Sequence, residues 1–71
     1  MQNRLPLTKK EEDILAYIYG YTEDNGYSPT RQEIAWKFEM TKNGADYFVL
    51  QLEKKGKIKI CGSKWRNIKI K

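Results

Sequence analysis

The spacing of the apolar residues changes at Gly56, and this change divides the chain into a helical part and a strand part. Before it, the stretch 41–56 reads TKNGADYFVLQLEKKG and carries apolar residues at the i, i+3, i+4 and i+7 positions of one helix face, namely Ala45, Phe48, Val49 and Leu52. After it, the stretches 57–60 and 67–71 read KIKI and NIKIK, in which isoleucine alternates with a polar residue. Such alternation is typical of half-buried strands, and the turn-rich segment between the two stretches predicts a β-hairpin.

Two earlier helices are predicted from capping boxes, in which a threonine is followed three residues later by a glutamate. These are Thr8-Lys9-Lys10-Glu11 and Thr30-Arg31-Gln32-Glu33. We expect one domain over residues 1–71, with helix 1 at about 8–22, helix 2 at about 30–39, the third helix at about 43–55 and the hairpin at about 57–71.

The short connection between the second and third helices is typical of a helix-turn-helix. Three helices followed by a basic hairpin predict an α+β fold of the winged helix-turn-helix type, in which the hairpin is the wing. A domain of the same shape without a nucleic-acid function remains an alternative. The buried side of the hairpin is predicted to consist of four isoleucines, Ile58, Ile60, Ile68 and Ile70.

The positive charge is concentrated at the end of the chain. The net charge is +5, but residues 54–71 hold eight basic and no acidic residues, whereas residues 1–53 hold six basic and nine acidic ones. Such a block indicates either a solvated face or a surface that binds a polyanion. Because the block falls on a structured hairpin, the polyanion surface is favoured.

The composition argues against several classes of protein. The chain has no histidine and a single cysteine, Cys61, so we expect no zinc site, no internal disulfide, no cofactor and no enzymatic activity. No apolar run approaches the roughly 18 residues that would predict a membrane-spanning helix. No signal-peptide pattern opens the chain, so a cytoplasmic location is expected.

Several segments resemble the DNA-binding domain of LexA repressors, over nearly the whole chain. The matching segments are 7–11 (LTKKE), 28–35 (SPTRQEIA), 43–45 (NGA) and 55–60 (KGKIKI), together with Leu52. The PTRxEIA pattern is the most specific of them, since the KGxI pattern recurs in many winged helices. The resemblance implies a winged helix whose third helix reads operator DNA in the major groove.

Carried over by position, the resemblance implies that five residues face the base edges: Thr41, Asn43, Gly44, Asp46 and Tyr47. The chain departs from the family pattern at Tyr47, where the family has an acid, and at Glu39, where it has a turn glycine. The connector before Thr41 is also one residue short. Because the chain stops at Lys71, the family's protease and dimerisation domain is not expected, nor is self-cleavage after DNA damage.

The side chains also predict a set of contacts to the DNA backbone. Cations and one tryptophan around the helix starts and the wing are expected to meet phosphates or a groove wall: Arg31, Lys42, Lys57, Lys59, Lys64, Trp65 and Arg66. The alternatives are a solvated wing and a Trp65 that covers the core. Asn43 has two readings, an adenine contact or the N-cap of its helix with Asp46 at N3. Asp46 likewise could accept from cytosine or favour the helix N-terminus.

Two hypotheses of function follow from these residues. The first is a double-stranded DNA-binding transcriptional regulator, a repressor-like protein that two-fold pairing of copies on DNA would strengthen. The second is a winged-helix adaptor that binds a protein through exposed apolar residues, chiefly Trp36 and Leu50. A small regulator of this kind suits a phage, prophage or other mobile element.

Overall fold

The computed structural model describes residues 6–62 and 66–71, and it confirms the predicted order of three helices followed by a hairpin. Helix α1 spans Lys9–Asn25, α2 spans Arg31–Phe38 and α3 spans Lys42–Lys54. Strands β1 (Ile58–Ile60) and β2 (Ile68–Ile70) form one antiparallel sheet. The predicted wing-tip residues Lys64 and Trp65 lie outside the described part of the chain.

Both capping boxes are formed, which explains where α1 and α2 begin. The Thr8 hydroxyl accepts a hydrogen bond from the Glu11 backbone N–H at 3.2 Å, and the Glu11 carboxylate accepts one from the Thr8 N–H at 2.9 Å. Thr30 and Glu33 make the same pair of bonds at 3.0 and 2.8 Å. Each box therefore satisfies two backbone donors that the first turn of a helix leaves unpaired.

The helix ends are set by residues in the left-handed region. Helix α1 continues past its predicted end near residue 22 to Asn25, because the residue that stops it is Gly26, with φ at +81°. Helix α3 ends before Gly56, with φ at +77°, and the N–H of Lys57 reaches back to the carbonyl of Leu52. This is a Schellman ending, which glycine favours because it has no Cβ.

The core lies between the helices and one face of the sheet. Helix α2 packs mainly against α3, and β1 packs against α3 on one side and pairs with β2 on the other. The fully buried apolar side chains come from every element: Ile14, Ile18, Ile34, Ala35, Ala45, Val49, Leu52, Ile58 and Ile68. Ile60 and Ile70 lie half-buried at the rim of this core, as do Phe38 and Phe48.

A buried ion pair joins the start of α1 to the end of α3. The Lys55 ammonium lies 2.6 Å from a carboxylate oxygen of Glu11, and both side chains are almost inaccessible to solvent. Lys55 also donates to the Pro6 carbonyl at 3.1 Å. The hydrogen bond from Lys55 lowers the pKa of Glu11 below its ordinary value, so the pair remains ionised in the folded domain.

Candidate nucleic-acid interface

The first turn of α3 is capped by Thr41, and this fixes the role of its neighbour Asn43. The Thr41 hydroxyl accepts a hydrogen bond from the Gly44 N–H at 3.0 Å, which makes Thr41 the N-cap. The alternative reading of Asn43 as the N-cap is therefore wrong, because the N-cap lies two positions earlier, at Thr41, and α3 begins at Lys42. Asn43 lies inside the first turn with its side chain exposed, so its amide is available to a ligand.

An exposed stripe runs along the outer face of α3. Its members are separated by four, three and four positions, which places them on one side of a helix: Asn43, Tyr47, Leu50 and Lys54. Tyr47 is 56% exposed and Leu50 is 50% exposed. At Gly44, an added Cβ would lie at an ordinary contact distance of 3.4 Å from the Thr41 hydroxyl.

Asp46 is engaged by cations of the domain itself. One carboxylate oxygen lies 3.6 Å from the Arg31 guanidinium, and the other lies 3.9 Å from the Lys42 ammonium. Lys42 is itself well exposed. The charge of Asp46 is thus balanced in the structure, which reduces the repulsion that a phosphate backbone would otherwise feel from an acid on this face.

Arg31 connects three segments whose proximity could not be predicted from the sequence. It lies at the start of α2, pairs with Asp46 of α3 and donates to the side-chain oxygen of Asn67, just before β2. Asn67 in turn donates to the Gly62 carbonyl at 2.9 Å. Burial lowers the pKa of Arg31 from its ordinary value, yet a guanidinium remains charged at neutral pH. Arg31 therefore fixes the wing relative to α3.

Arg66 lies against the body of the domain. Its guanidinium makes two hydrogen bonds to the Glu33 carboxylate, at 2.9 and 3.0 Å, and one to the Ser28 carbonyl at 2.9 Å. It also lies over the Tyr27 ring, 4.6 Å from the centroid. The bond from Arg66 lowers the pKa of Glu33 to about 2, and the same bond raises the pKa of Arg66. The positive charge of Arg66 is therefore neutralised by Glu33 within the domain.

The wing presents lysines on the face that points away from the core. Lys59 of β1 lies directly opposite Lys69 of β2, and both are exposed. Like charges directly across a sheet destabilise it, so the arrangement has a structural cost that a bound polyanion would remove. Lys57 precedes β1 and is half-buried.

Sequence reasoning missed the partners that hold the wing in place. Asn67, Ser28 and Tyr27 form the contacts to Arg31 and Arg66, although nothing in their local sequence marks them. The nearest signal was the pair of arginines itself, one at a helix start and one in the hairpin. Trp36 is 70% exposed on α2, consistent with a surface position.

Three helices with a helix-turn-helix connection, followed by a two-stranded basic wing, define a winged helix-turn-helix domain. A family model described as the LexA DNA binding domain matches residues 4–67, so the chain belongs to that family. Family membership favours the DNA-binding hypothesis over the protein adaptor.

Curated relatives agree with this assignment. The chain is 46% identical over 52 residues to the LexA repressor of Thermosipho melanesiensis, covering 73% of this chain and 26% of the relative. It is 39% identical over 64 residues to the LexA repressor of Thermotoga neapolitana, covering 90% and 32%. For the LexA repressor of Pseudomonas chlororaphis, the identity is 40% over 67 residues, covering 93% and 33%. The chain thus spans about a third or less of these relatives.

Within residues 6–62 and 66–71, no helix has the length and apolar character needed to cross a membrane. The same residues contain no group of acidic side chains and cysteine arranged to hold a metal ion.

Proposed function

We propose that this domain binds double-stranded DNA as part of a transcriptional regulator, with α3 in the major groove. The observation that carries the proposal is the exposed stripe of α3. It begins at Asn43, which does not cap the helix, and it lies between a helix-turn-helix connection and a basic wing. An α-helix fits the width of the major groove, and base edges there are distinguishable by their donors and acceptors. The proposal agrees with relatives that are named repressors.

Selectivity in this proposal comes from the first half of α3. Asn43 can pair with an adenine through both its donor and its acceptor, because its amide is exposed and does not cap the helix. Tyr47, one turn later, contacts a thymine methyl or a phosphate. Thr41 and Gly44 allow close approach of the first turn. Asp46 orients Arg31 and Lys42 in preference to accepting from a base.

Affinity in this proposal comes from cations that neutralise phosphates and release counterions. We assign this role to the exposed or partly exposed lysines of α3 and the wing, Lys42, Lys57 and Lys59. Lys64 and Trp65 of the wing tip remain predicted backbone contacts. Arg31 and Arg66 serve instead to hold the wing at a fixed position, because their guanidinium groups are bonded within the domain.

A single domain of this size would cover one half-site, so we propose that two copies bind an inverted repeat. A role on DNA would place the protein in the cytoplasm, without an enzymatic step by this domain. Origin in a phage or prophage stays a prediction.

The direct test of DNA binding is a titration of the protein with a labelled random-sequence duplex over a range of salt concentrations. We expect binding at low salt that weakens steeply as salt rises, with a log–log slope near the number of phosphates neutralised. The double variant Lys57→Gln/Lys59→Gln should reduce that slope by about 2. If no complex forms at low salt with any duplex, the proposal is overturned.

A further inference from the structure

Two adjoining pockets lie between α1 and β2. Tyr19 and Ile70 line both of them, and the two together are here called the edge groove. Tyr19 and Tyr27 on its walls are about half exposed, at 54% and 49%. Its large apolar residues come from α1, from the segments before α1 and α2, and from β2: Leu7, Leu15, Tyr19, Tyr27, Ile68 and Ile70.

The backbone of β2 offers to this groove hydrogen-bonding groups that have no partner within residues 6–62 and 66–71. The N–H of Cys61 donates to the carbonyl of Asn67, and the N–H of Lys71 donates to the carbonyl of Lys57. In an antiparallel ladder, bonded and non-bonded pairs alternate, so the pair Ile58 and Ile70 does not exchange bonds. The N–H and C=O of Ile70 therefore point away from β1, into the edge groove.

Two other outward-facing donors of the described sheet are already used. The N–H of Ile60, on the free side of β1, donates to the Glu53 carboxylate at 3.1 Å. The N–H of Ile68 donates to the Ser28 hydroxyl at 3.3 Å. The N–H of Ile58 also faces the free side of β1, but Ile58 is fully buried. The stretch of β2 around Ile70 is thus the part of the described sheet where another strand can pair, and an unpaired edge of this kind is a template for an added strand.

Charge determines which kind of strand fits. Lys69 and Lys71 are exposed on the face of β2 that points away from the core, and both line the groove. A strand added beside β2 would place alternate side chains next to these lysines and the others against Tyr19 and Ile70. Glu12 and Glu23 line the α1 side, so acids of a partner are accommodated only on the lysine side.

We propose that the edge groove binds an extended peptide in which acidic and apolar residues alternate, as a third strand beside β2. The acids pair with Lys69 and Lys71, the apolar residues cover Tyr19 and Ile70, and the backbone bonds to Ile70. No residue of α3 lines the groove, and β1 separates β2 from α3. The peptide therefore leaves α3 uncovered, although Lys57, which is assigned above to phosphate, also lines the groove.

The test is an NMR titration of the isotope-labelled protein with a blocked hexapeptide of alternating glutamate and isoleucine, to about 2 mM, because a single short strand gives weak binding. We expect amide shifts at Ile68 and Ile70 and slower hydrogen exchange at Ile70. Tyr19→Ser should weaken the peptide at least about tenfold, the loss of one well-packed contact. Lys69→Glu should weaken binding of the glutamate–isoleucine peptide and strengthen binding of a lysine–isoleucine peptide.

The matched control is Tyr47→Ser, because Tyr47 and Tyr19 are exposed to a similar extent on different faces. Tyr47→Ser should retain peptide binding and weaken DNA binding, whereas Tyr19→Ser should weaken peptide binding and retain DNA binding. The proposal is overturned if the edge groove shows no shifts, if the lysine–isoleucine peptide binds the unmodified protein equally well, or if the same amides shift on concentrating the protein alone, which would make a second copy the occupant.

Discussion

At the scale of single residues, one hydrogen bond decides what the start of α3 can present to a partner. Because the Thr41 hydroxyl accepts the hydrogen bond from the Gly44 N–H, the side-chain amide of Asn43 is not needed to cap the helix. An asparagine that caps a helix rarely has the geometry to contact a base as well. Readout by Asn43 therefore requires that a different residue, Thr41, caps the helix.

This separation predicts different effects of two alanine substitutions on stability. Thr41→Ala should lower the free energy of unfolding by about 1 kcal/mol, the usual effect of losing an N-cap. Asn43→Ala should change it by less than about 0.5 kcal/mol, as expected for an exposed position inside a helix. Urea unfolding measures both, and a larger loss for Asn43→Ala would contradict the assignment of the cap.

Glu39 ends α2 in a conformation that glutamate seldom adopts. Its φ of +56° and ψ of +49° lie in the left-handed region, where a Cβ approaches the following carbonyl. The N–H of Met40 reaches back to the Ala35 carbonyl at 2.9 Å, so the chain must turn here to begin α3. The short helix-turn-helix connection between α2 and α3 imposes this strain, at a position where the resemblance to the family implied a turn glycine.

Glu39→Gly should therefore stabilise the domain, by about 1 kcal/mol, because glycine adopts this conformation without the steric penalty. Glu12→Gly is the matched control, since Glu12 is an exposed glutamate within α1 and glycine there should destabilise by about 1 kcal/mol. Thermal or urea unfolding compares the two. Equal destabilisation by both substitutions would show that position 39 is not strained.

At the scale of elements, the wing is held to α2 by the pair Arg66 and Glu33. The pKa of Glu33 is about 2 in the folded domain, against an ordinary value of 4.5. A carboxylate with a depressed pKa stabilises the fold above its unfolded pKa, and that stabilisation disappears as the pH falls from about 4.5 toward 2. The attachment of the wing is therefore insensitive to pH near neutrality and weakens only in acid.

Glu33→Gln isolates this charge, because glutamine retains the acceptor of the capping box but cannot pair ionically with Arg66. The variant should be less stable than the parent at pH 7, and it should lose less stability than the parent between pH 7 and pH 3, since one titrating group is gone. Asp13→Asn is the control, because Asp13 pairs with Lys9 on the surface. A parallel loss of stability in the parent and E33Q would contradict the role of Glu33.

The helices and the hairpin were predictable because their signals are local. The boxes at Thr8 and Thr30 and the alternation around Ile58 each depend on neighbours within a few residues. The contact of the Arg66 side chain with Glu33 was not predictable, since Glu33 lies on another element and is brought close only by the fold. The same applies to Arg31, which meets Asn67 across 36 positions of sequence.

At the scale of the whole molecule, stability depends on a small core and on one buried ion pair. Lys55 and Glu11 close the domain by joining the two ends of its helical part, and their charges satisfy each other where solvent does not reach. The removal of one partner leaves the other charge buried and unpaired, which is more damaging than loss of a surface pair.

Lys55→Met should accordingly destabilise the domain by about 3 kcal/mol, a large part of the stability of so small a core. Lys54→Met makes the same change of charge and volume at the neighbouring exposed position, and it should cost less than about 0.5 kcal/mol. Urea unfolding of the pair of variants separates burial from net charge. Similar midpoints for both would contradict the account of the buried pair.

The cations of the molecule fall into two groups: some pair with acids of the domain, and others are exposed to solvent. Arg66 and Lys55 belong to the eight cations of residues 54–71, yet both are bonded to glutamates of the domain. The concentration of charge was visible in the sequence, but which cations remain available to phosphate depends on the fold. Exposed Lys59 and Lys69 lie on the outer face of the wing, whereas selectivity is assigned to the few polar groups of α3.

The most direct test of the central proposal is selection of bound duplexes from a random library, carried out in parallel with the parent domain and with Asn43→Ala. We predict that the parent enriches an inverted repeat with a fixed adenine in each half, and that the variant retains the repeat but loses the preference for that adenine, a change of about 1–3 kcal/mol at one base pair. Enrichment of no sequence by the parent, or of the identical sequence by both proteins, would contradict readout of DNA by the start of α3.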